Sequence, residues 1–426
     1  MPRCEMPATI LTPHEPESTS IPKDDARVII IGAGPSGLAI AACLQQHGAP
    51  YLIIERSRCI ASLWKNCTYD RLCMHTAKNC CELPFMPLPD SYPNFLTRQQ
   101  FIDYLEAYVQ NFHIQPRFNE MVVQASFDHE THSWIVQTRG MEICTDDATC
   151  RWNGTFECRQ YVCKWLVVAT GENAEPALAH LPGLANFQGT TVHSSQYKNA
   201  SDFIHKKVLV IGAGNSGMEI ALDLANSGSL STTIVARSPL HVLPREMFGL
   251  STFSVAMKLC RILPVRLVDR ILVVYSQLRF GDTYNMYGLR RPKIGPLELK
   301  NSMGKTPILD VGTLSMIQRG VIRVKPAIEC ISGSCVRFVD NSMESFDALI
   351  LATGYKSNVP SWLHDEDGMF TEQGLCRSSS WKGKRGLYAA GLSGQGLLRA
   401  IKDARLIGDD IMHSYAQLHC NNDIHI

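Results

Sequence analysis

The chain has almost no charge imbalance: 41 Lys and Arg face 40 Asp and Glu, for a formal net charge of +1. That removes the electrostatic case for a nucleic-acid partner. It has no CxxC pair and no Cys/His run with zinc spacing, although 16 cysteines are scattered along it. Thiols without a framework read as reduced, buried, small apolar residues, so neither a metal site nor a disulfide scaffold is expected. No Ser-His-Asp set or paired carboxylates stand out, which leaves the catalytic residues unassigned. No apolar run reaches the roughly 18 residues that span a bilayer. The nearest approach, residues 250–278, is broken by Lys258, Arg261, Pro264, Arg266, Asp269 and Arg270. Its stripe of Leu263, Leu267, Ile271 and Val274 predicts an amphipathic helix pair kinked near Pro264 and packed on the core, with peripheral membrane contact as the alternative. Residues 1–26 carry five prolines and no signal-like apolar segment, so a disordered tail is expected. The expected location is the cytoplasm, with the cytosolic face of an endoplasmic membrane as the alternative.

What is present is glycine in two matched places. Gly32-Ala33-Gly34-Pro35-Ser36-Gly37 follows the apolar run Val28–Ile31, and Gly212-Ala213-Gly214-Asn215-Ser216-Gly217 follows Val208–Ile211. Each GxGxxG lies between a predicted strand and a predicted helix, the context a dinucleotide site requires. The first glycine permits the turn, the second lets backbone approach a pyrophosphate, and the third lets helix pack on strand. The helix N-terminus then offers N–H groups to phosphate.

The two units differ where ribose is read. The strand Tyr51–Ile54 ends in Glu55-Arg56, and a carboxylate there suits an unphosphorylated ribose, as in FAD. The strand Thr233–Val235 ends in Ala236-Arg237-Ser238, where a guanidinium suits the 2′-phosphate of NADPH. Two further strands end in Ala-Thr-Gly, at 169–171 and 352–354. We therefore expect an α/β fold with two doubly wound Rossmann-like domains, the NADPH domain inserted in the FAD domain. The expected bounds are 27–171 for the first part of the FAD domain, 172–354 for the NADPH domain and 355–426 for the FAD domain's second part.

Between the units runs Phe187-Gln188-Gly189-Thr190-Thr191-Val192-His193-Ser194-Ser195-Gln196-Tyr197, which matches the FxGxxxHxxxY fingerprint of flavin-containing monooxygenases. His193 reads as an oriented structural group rather than a catalyst, and Phe187 and Tyr197 as packing at the domain junction. Beyond this, Ser62-Leu63-Trp64, Thr68-Tyr69-Asp70-Arg71-Leu72, Gly295-Pro296-Leu297-Glu298, Lys305-Thr306-Pro307-Ile308-Leu309-Asp310 and Leu351–Asn358 resemble plant YUCCA-type flavin monooxygenases from about residue 27 to 410.

The resemblance implies an FAD- and NADPH-dependent monooxygenase converting indole-3-pyruvate to indole-3-acetate with O₂, through a flavin C4a-(hydro)peroxide and loss of CO₂. The alternative is a related enzyme oxygenating another keto acid or a soft N or S nucleophile. The cofactor carries the hard step, which accounts for the missing catalytic set. Leu63 and Trp64 are expected near the flavin or adenosine, with core packing as the competing role. Ser393 and Gln395, in a loop that opens a helix from Leu397 to Ile407, are expected to aim N–H groups at the flavin. Lys356 and Asn358 are candidates for contact with NADPH or substrate, and Arg245 and Lys305 for anchoring an acid, against surface placement. A disulfide reductase using Cys158 and Cys163, and a non-enzymatic FAD/NADPH sensor, are the readings from other classes.

Overall fold

Strands rich in Val and Ile that are buried on both faces belong in parallel sheets covered on both sides. The structure, a computed structural model, describes residues 28–141, 157–281 and 287–422 and contains two such sheets. Their strands are β1 (Val28–Ile31), β2 (Tyr51–Ile54), β3 (Trp165–Val168), β4 (Thr190–His193), β5 (Lys207–Ile211), β6 (Ser231–Val235), β7 (Ile322–Lys325), β8 (Ala348–Leu351) and β9 (Leu387–Ala389). The first sheet has order β2-β1-β3-β9 and the second β7-β6-β5-β8-β4, all parallel. The helices that matter below are α1 (Pro35–Gln46), α2 (Asn215–Asn226), α3 (Val265–Phe280), α4 (Pro296–Met303) and α5 (Leu397–Asn422). The 1–26 tail lies outside the described residues.

Alternate residues of each central strand supply opposite cores. Val28 and Ile30 pack with α1 and α5, while Ile29 and Ile31 pack against Trp134 and Val136. Those last two belong to an antiparallel meander, Glu120–Asp128, Ser133–Gly140 and Cys158–Cys163. The second sheet has the same plan: Leu209 and Leu349 pack against Val336 and Phe338 of the meander Ile328–Ser332, Cys335–Phe338 and Met343–Ser345. Helix α5 is longer than the sequence pattern indicated, reaching Asn422, and crosses close to α1. A Cβ on Gly408 would stand 2.7 Å from the Cys43 Cβ.

The chain passes between the sheets twice, and the two passages pair. Tyr355–Lys356 lies antiparallel to Glu175–Pro176, with Thr353 Oγ1 donating to the Ala177 carbonyl at 2.6 Å. Each Ala-Thr-Gly strand thus stays in its own sheet, and the short ribbon just beyond them joins the two units.

The 250–278 stretch forms helices on either side of Pro264, Thr252–Leu259 and α3, but the buried face is not the predicted one. Val268 and Leu272 pack with Leu243, Met247 and Ala256, whereas Leu267 and Val274 are exposed. Asp269 sets the rotation: its buried carboxylate accepts from the Leu297 and Glu298 N–H groups at 2.7 and 3.1 Å, capping α4. Gly295 is the consequence, since a Cβ there would meet Asp269 Oδ2 at 2.2 Å. Among the described residues, no helix is long and apolar enough to cross a membrane.

Candidate active site

The two glycine loops have the same geometry. Gly32 and Gly212 have φ of +109° and +119°, and a Cβ on them would lie 2.7 and 2.3 Å from the carbonyl oxygens of Ala169 and Ala352. This gives the Ala-Thr-Gly strands a role the sequence left open: each is the floor beneath a loop's first turn. Gly37 and Gly217 have no room either, their added Cβ falling 2.0 and 1.9 Å from the Gly32 and Gly212 carbonyls. Gly34 and Gly214 differ, with nothing within 4 Å of an added Cβ. Both cap a helix, α1 and α2 respectively, so each open face adjoins unpaired helical N–H groups.

The first loop borders a cavity of about 470 Å³. Gly32, Gly34, Pro35, Ser36, Glu55 and Arg56 line it at one side, and Leu63, Trp64, Thr170, Asn358, Leu397 and His75 are also in its wall. Glu55 is buried, its carboxylate accepting from the Ala33 N–H at 2.8 Å and the Ser57 N–H at 2.9 Å. Trp64 lines the cavity and also packs on the first core, meeting Phe101 edge-on at 4.7 Å. Among the lining residues, Thr170 Oγ1 and Asn358 Oδ1 are buried without a hydrogen-bond partner. Orphaned polar atoms in the wall of a cavity with a helix N-terminus at its edge fit a polar, phosphate-bearing flavin nucleotide. Ser393 and Gln395 are not in the wall. Ser393 Oγ is buried without a hydrogen-bond partner, Gln395 is exposed, and the neighbouring Gly391 and Gly396 line the cavity instead.

In the second unit, Arg237 and Ser238 are exposed just past the end of β6. The Arg290 guanidinium donates to the Arg237 carbonyl at 2.8 Å, bringing a second arginine to that edge. Ala213 is half-buried against the second core, and Ser216 follows in the first turn of α2. Asn215 turns its side chain elsewhere, its Oδ1 accepting from Leu309 N–H at 3.0 Å. Arg245 stacks over Phe95 at 4.3 Å, Lys305 is exposed, and Lys356 pairs with Glu175 at 3.8 Å. Cys158 and Cys163 do not line the cavity.

The fingerprint residues hold the two crossings. His193 Nδ1 accepts from the Ser195 N–H at 3.1 Å, and Nε2 lies 3.2 Å from the Gly354 carbonyl, to which it donates in that tautomer. Burial lowers the imidazole pKa, offset in part by that carbonyl, so the ring is held neutral. Tyr197 donates to Asp223 Oδ2 at 2.7 Å and meets Tyr69 edge-on. Phe187 departs from its expected place: it packs under the second sheet beside Gly189, where a Cβ would reach its ring at 2.6 Å.

Sequence reasoning missed two pairs. His75 Nε2 stands 2.9 Å from Glu219 Oε1 of α2, joining the units. Burial raises the Glu172 carboxyl pKa, opposed by Lys300 and the Gly394 N–H, and lowers that of the Lys300 ammonium, opposed by Glu172. A lone His in a cysteine-rich segment and an acid one turn into a helix carry no spacing signal.

The sequence profile of the flavin-binding monooxygenase-like family matches residues 25–370. An indole-3-pyruvate monooxygenase, YUCCA1 of Oryza sativa subsp. japonica, is 47% identical over 386 residues, 90% of each chain. A probable indole-3-pyruvate monooxygenase, YUCCA9 of Arabidopsis thaliana, is 49% identical over 387 residues, covering 90% of this chain and 88% of its own. Among solved structures, a flavin-containing monooxygenase from Stenotrophomonas maltophilia superposes with a TM-score of 0.66 at 20% identity, covering 92% of this chain and 99% of that one. An oxidized steroid monooxygenase bound to NADP gives 0.70 at 17% identity, covering 93% and 86%. These last two support the fold. With a matched profile over most of its length and relatives near half identity, the chain belongs to the flavin-binding monooxygenase-like family of enzymes, in its YUCCA-type branch.

Proposed function

We propose that the chain converts indole-3-pyruvate to indole-3-acetate, a step of auxin biosynthesis, using FAD, NADPH and O₂ and releasing CO₂. One observation carries the reading: the strands that follow two matched glycine loops lead into a buried carboxylate, Glu55, and an exposed guanidinium, Arg237, in a chain whose relatives at 46–49% identity carry that activity in their names. The loop Gly32–Gly37 and the N-terminus of α1 hold the FAD pyrophosphate, and Glu55 reads its ribose. Thr170, Asn358 and the Gly391–Gly396 loop, which includes Ser393 and Gln395, serve the flavin end. The loop Gly212–Gly217 holds NADPH, with Arg237 and Ser238 at its 2′-phosphate. Bound flavin supplies the hydride acceptor and the oxygen-activating chemistry. The protein's part is to orient the partners and exclude water, for which Leu63, Trp64, Leu72 and Met74 give the cavity an apolar wall.

The units at 27–171 with 355–426, and at 172–354, act as FAD and NADPH domains, and the enzyme works in the cytosol. Purified protein is expected to be yellow, to oxidise NADPH in preference to NADH, and to yield indole-3-acetate with oxygen uptake. NADPH consumption that gives only hydrogen peroxide with every keto acid would defeat the substrate assignment. S- or N-oxygenated products would favour the related reading instead.

A further inference from the structure

Among the described residues lining the cavity, only Arg56 and His75 can carry positive charge. Arg56 adjoins the ribose reader, and its Nη2 donates to the Ala174 carbonyl at 2.6 Å. His75 stands at the seam of the two units, 2.9 Å from Glu219, whose side chain is 6% exposed. Neither Glu219 Oε1 nor His75 Nδ1 has a hydrogen-bond partner, and both atoms are buried. The contact ties the imidazole of one unit to a buried carboxylate of the other and leaves His75 Nδ1 unsatisfied.

The other titratable groups around the pair fit that assignment. Tyr69 packs beside Glu219, and its hydroxyl pKa is pushed up by burial and then by Glu219, so it stays neutral. Arg71 is engaged with Asp223 at 3.8 Å. The cavity wall itself carries three carboxylates, Glu55, Glu120 and Glu172, which repel an anion. A keto acid must nevertheless bring its own carboxylate into this space.

On the keto-acid reading given above, we infer that His75 anchors the substrate carboxylate through Nδ1–H, and that Glu219 positions the ring from the NADPH unit. His75 is then a substrate-binding residue, and Glu219 acts through it. The arrangement makes recognition of an acid depend on the contact between the two units, since the anchor belongs to one and its positioning partner to the other.

The test is calorimetric titration of FAD-loaded enzyme with indole-3-pyruvate and, as the uncharged probe, its methyl ester. His75→Asn should weaken acid binding at least about tenfold while ester binding stays within about twofold, as loss of one charge-assisted hydrogen bond requires. Glu219→Gln should weaken the acid by about three- to tenfold, again sparing the ester. FAD content should match wild type in both. Unchanged acid affinity in His75→Asn, equal losses for acid and ester, or loss of FAD would each overturn the assignment. If His75→Asn does not fold, Glu219→Gln decides, and wild-type affinity for the acid there refutes the role. Wild-type enzyme that turns over no keto acid would instead defeat the parent reading.

Discussion

Replacing Gly34 by alanine should abolish flavin loading while leaving the apoprotein's stability almost untouched. Gly34 has φ −80° and ψ −179°, a conformation alanine adopts freely, and its new methyl would meet no heavy atom within 4 Å. Alanine is a poorer helix cap than glycine by about 0.5–1 kcal/mol. The same change stiffens the unfolded chain, which returns about 0.4–1 kcal/mol. The net effect on unfolding is therefore close to zero. The methyl instead fills the open face through which a pyrophosphate reaches the N–H groups of α1. Two lost charge-assisted hydrogen bonds, at about 1.5–3 kcal/mol each, amount to two to four orders of magnitude in FAD affinity. Gly37→Ala is the control: its Cβ would sit 2.0 Å from the Gly32 carbonyl, so backbone must move at a cost of at least about 1–3 kcal/mol. The assay pairs the flavin-to-protein absorbance ratio, with FAD titration of apoprotein, and urea unfolding midpoints. Gly34→Ala that binds FAD within a few-fold of wild type, or that unfolds as easily as Gly37→Ala, would refute the reasoning.

Arg237→Ala should raise the KM for NADPH about tenfold or more and leave that for NADH unchanged, since an arginine–phosphate pair is worth at least one charge-assisted bond. Equal changes would remove its phosphate role. Tyr197→Phe should cost about 1.5–3 kcal/mol in urea unfolding, because Asp223 loses a 2.7 Å donor, and should leave kcat unchanged once FAD is bound. His193 has a folded-state pKa lowered by burial below its ordinary 6.5, so its contribution is complete above that pH and is lost as pH falls through the lowered value. His193→Gln should therefore flatten the acid limb of a stability–pH curve, and an unchanged limb would contradict the neutral assignment.

What could be read from sequence was what repeats at fixed spacing. The glycine loops, the strands before them and the differing residues Glu55 and Arg237 are local patterns, and all fall at the ends of parallel strands. The meanders were missed because residues 133–140 and 328–332 pair across their own turns, and nothing local says that they cover a sheet's second face. The stripe at Leu263–Val274 was a sound helical period of which Leu263 packs on the core while Leu267 and Val274 are exposed. The choice between adjacent faces was made by Asp269, which caps a helix 28 residues further on. His75 and Glu219 escaped for a related reason: their pairing joins one unit to the other, between residues far apart in the chain.

The ribbon between the units limits how they can move. Gly32 is wedged on Ala169 and Gly212 on Ala352, so neither loop can shift without dragging the sheet that supports it. Any relative swing is then absorbed over a few residues near Pro176 and Tyr355, where two strands lie side by side. Two antiparallel strands paired residue by residue thus form the double tether between the units. With both glycine loops seated on their own strands, the ribbon is the part of the backbone left to set how the second loop lies relative to the first.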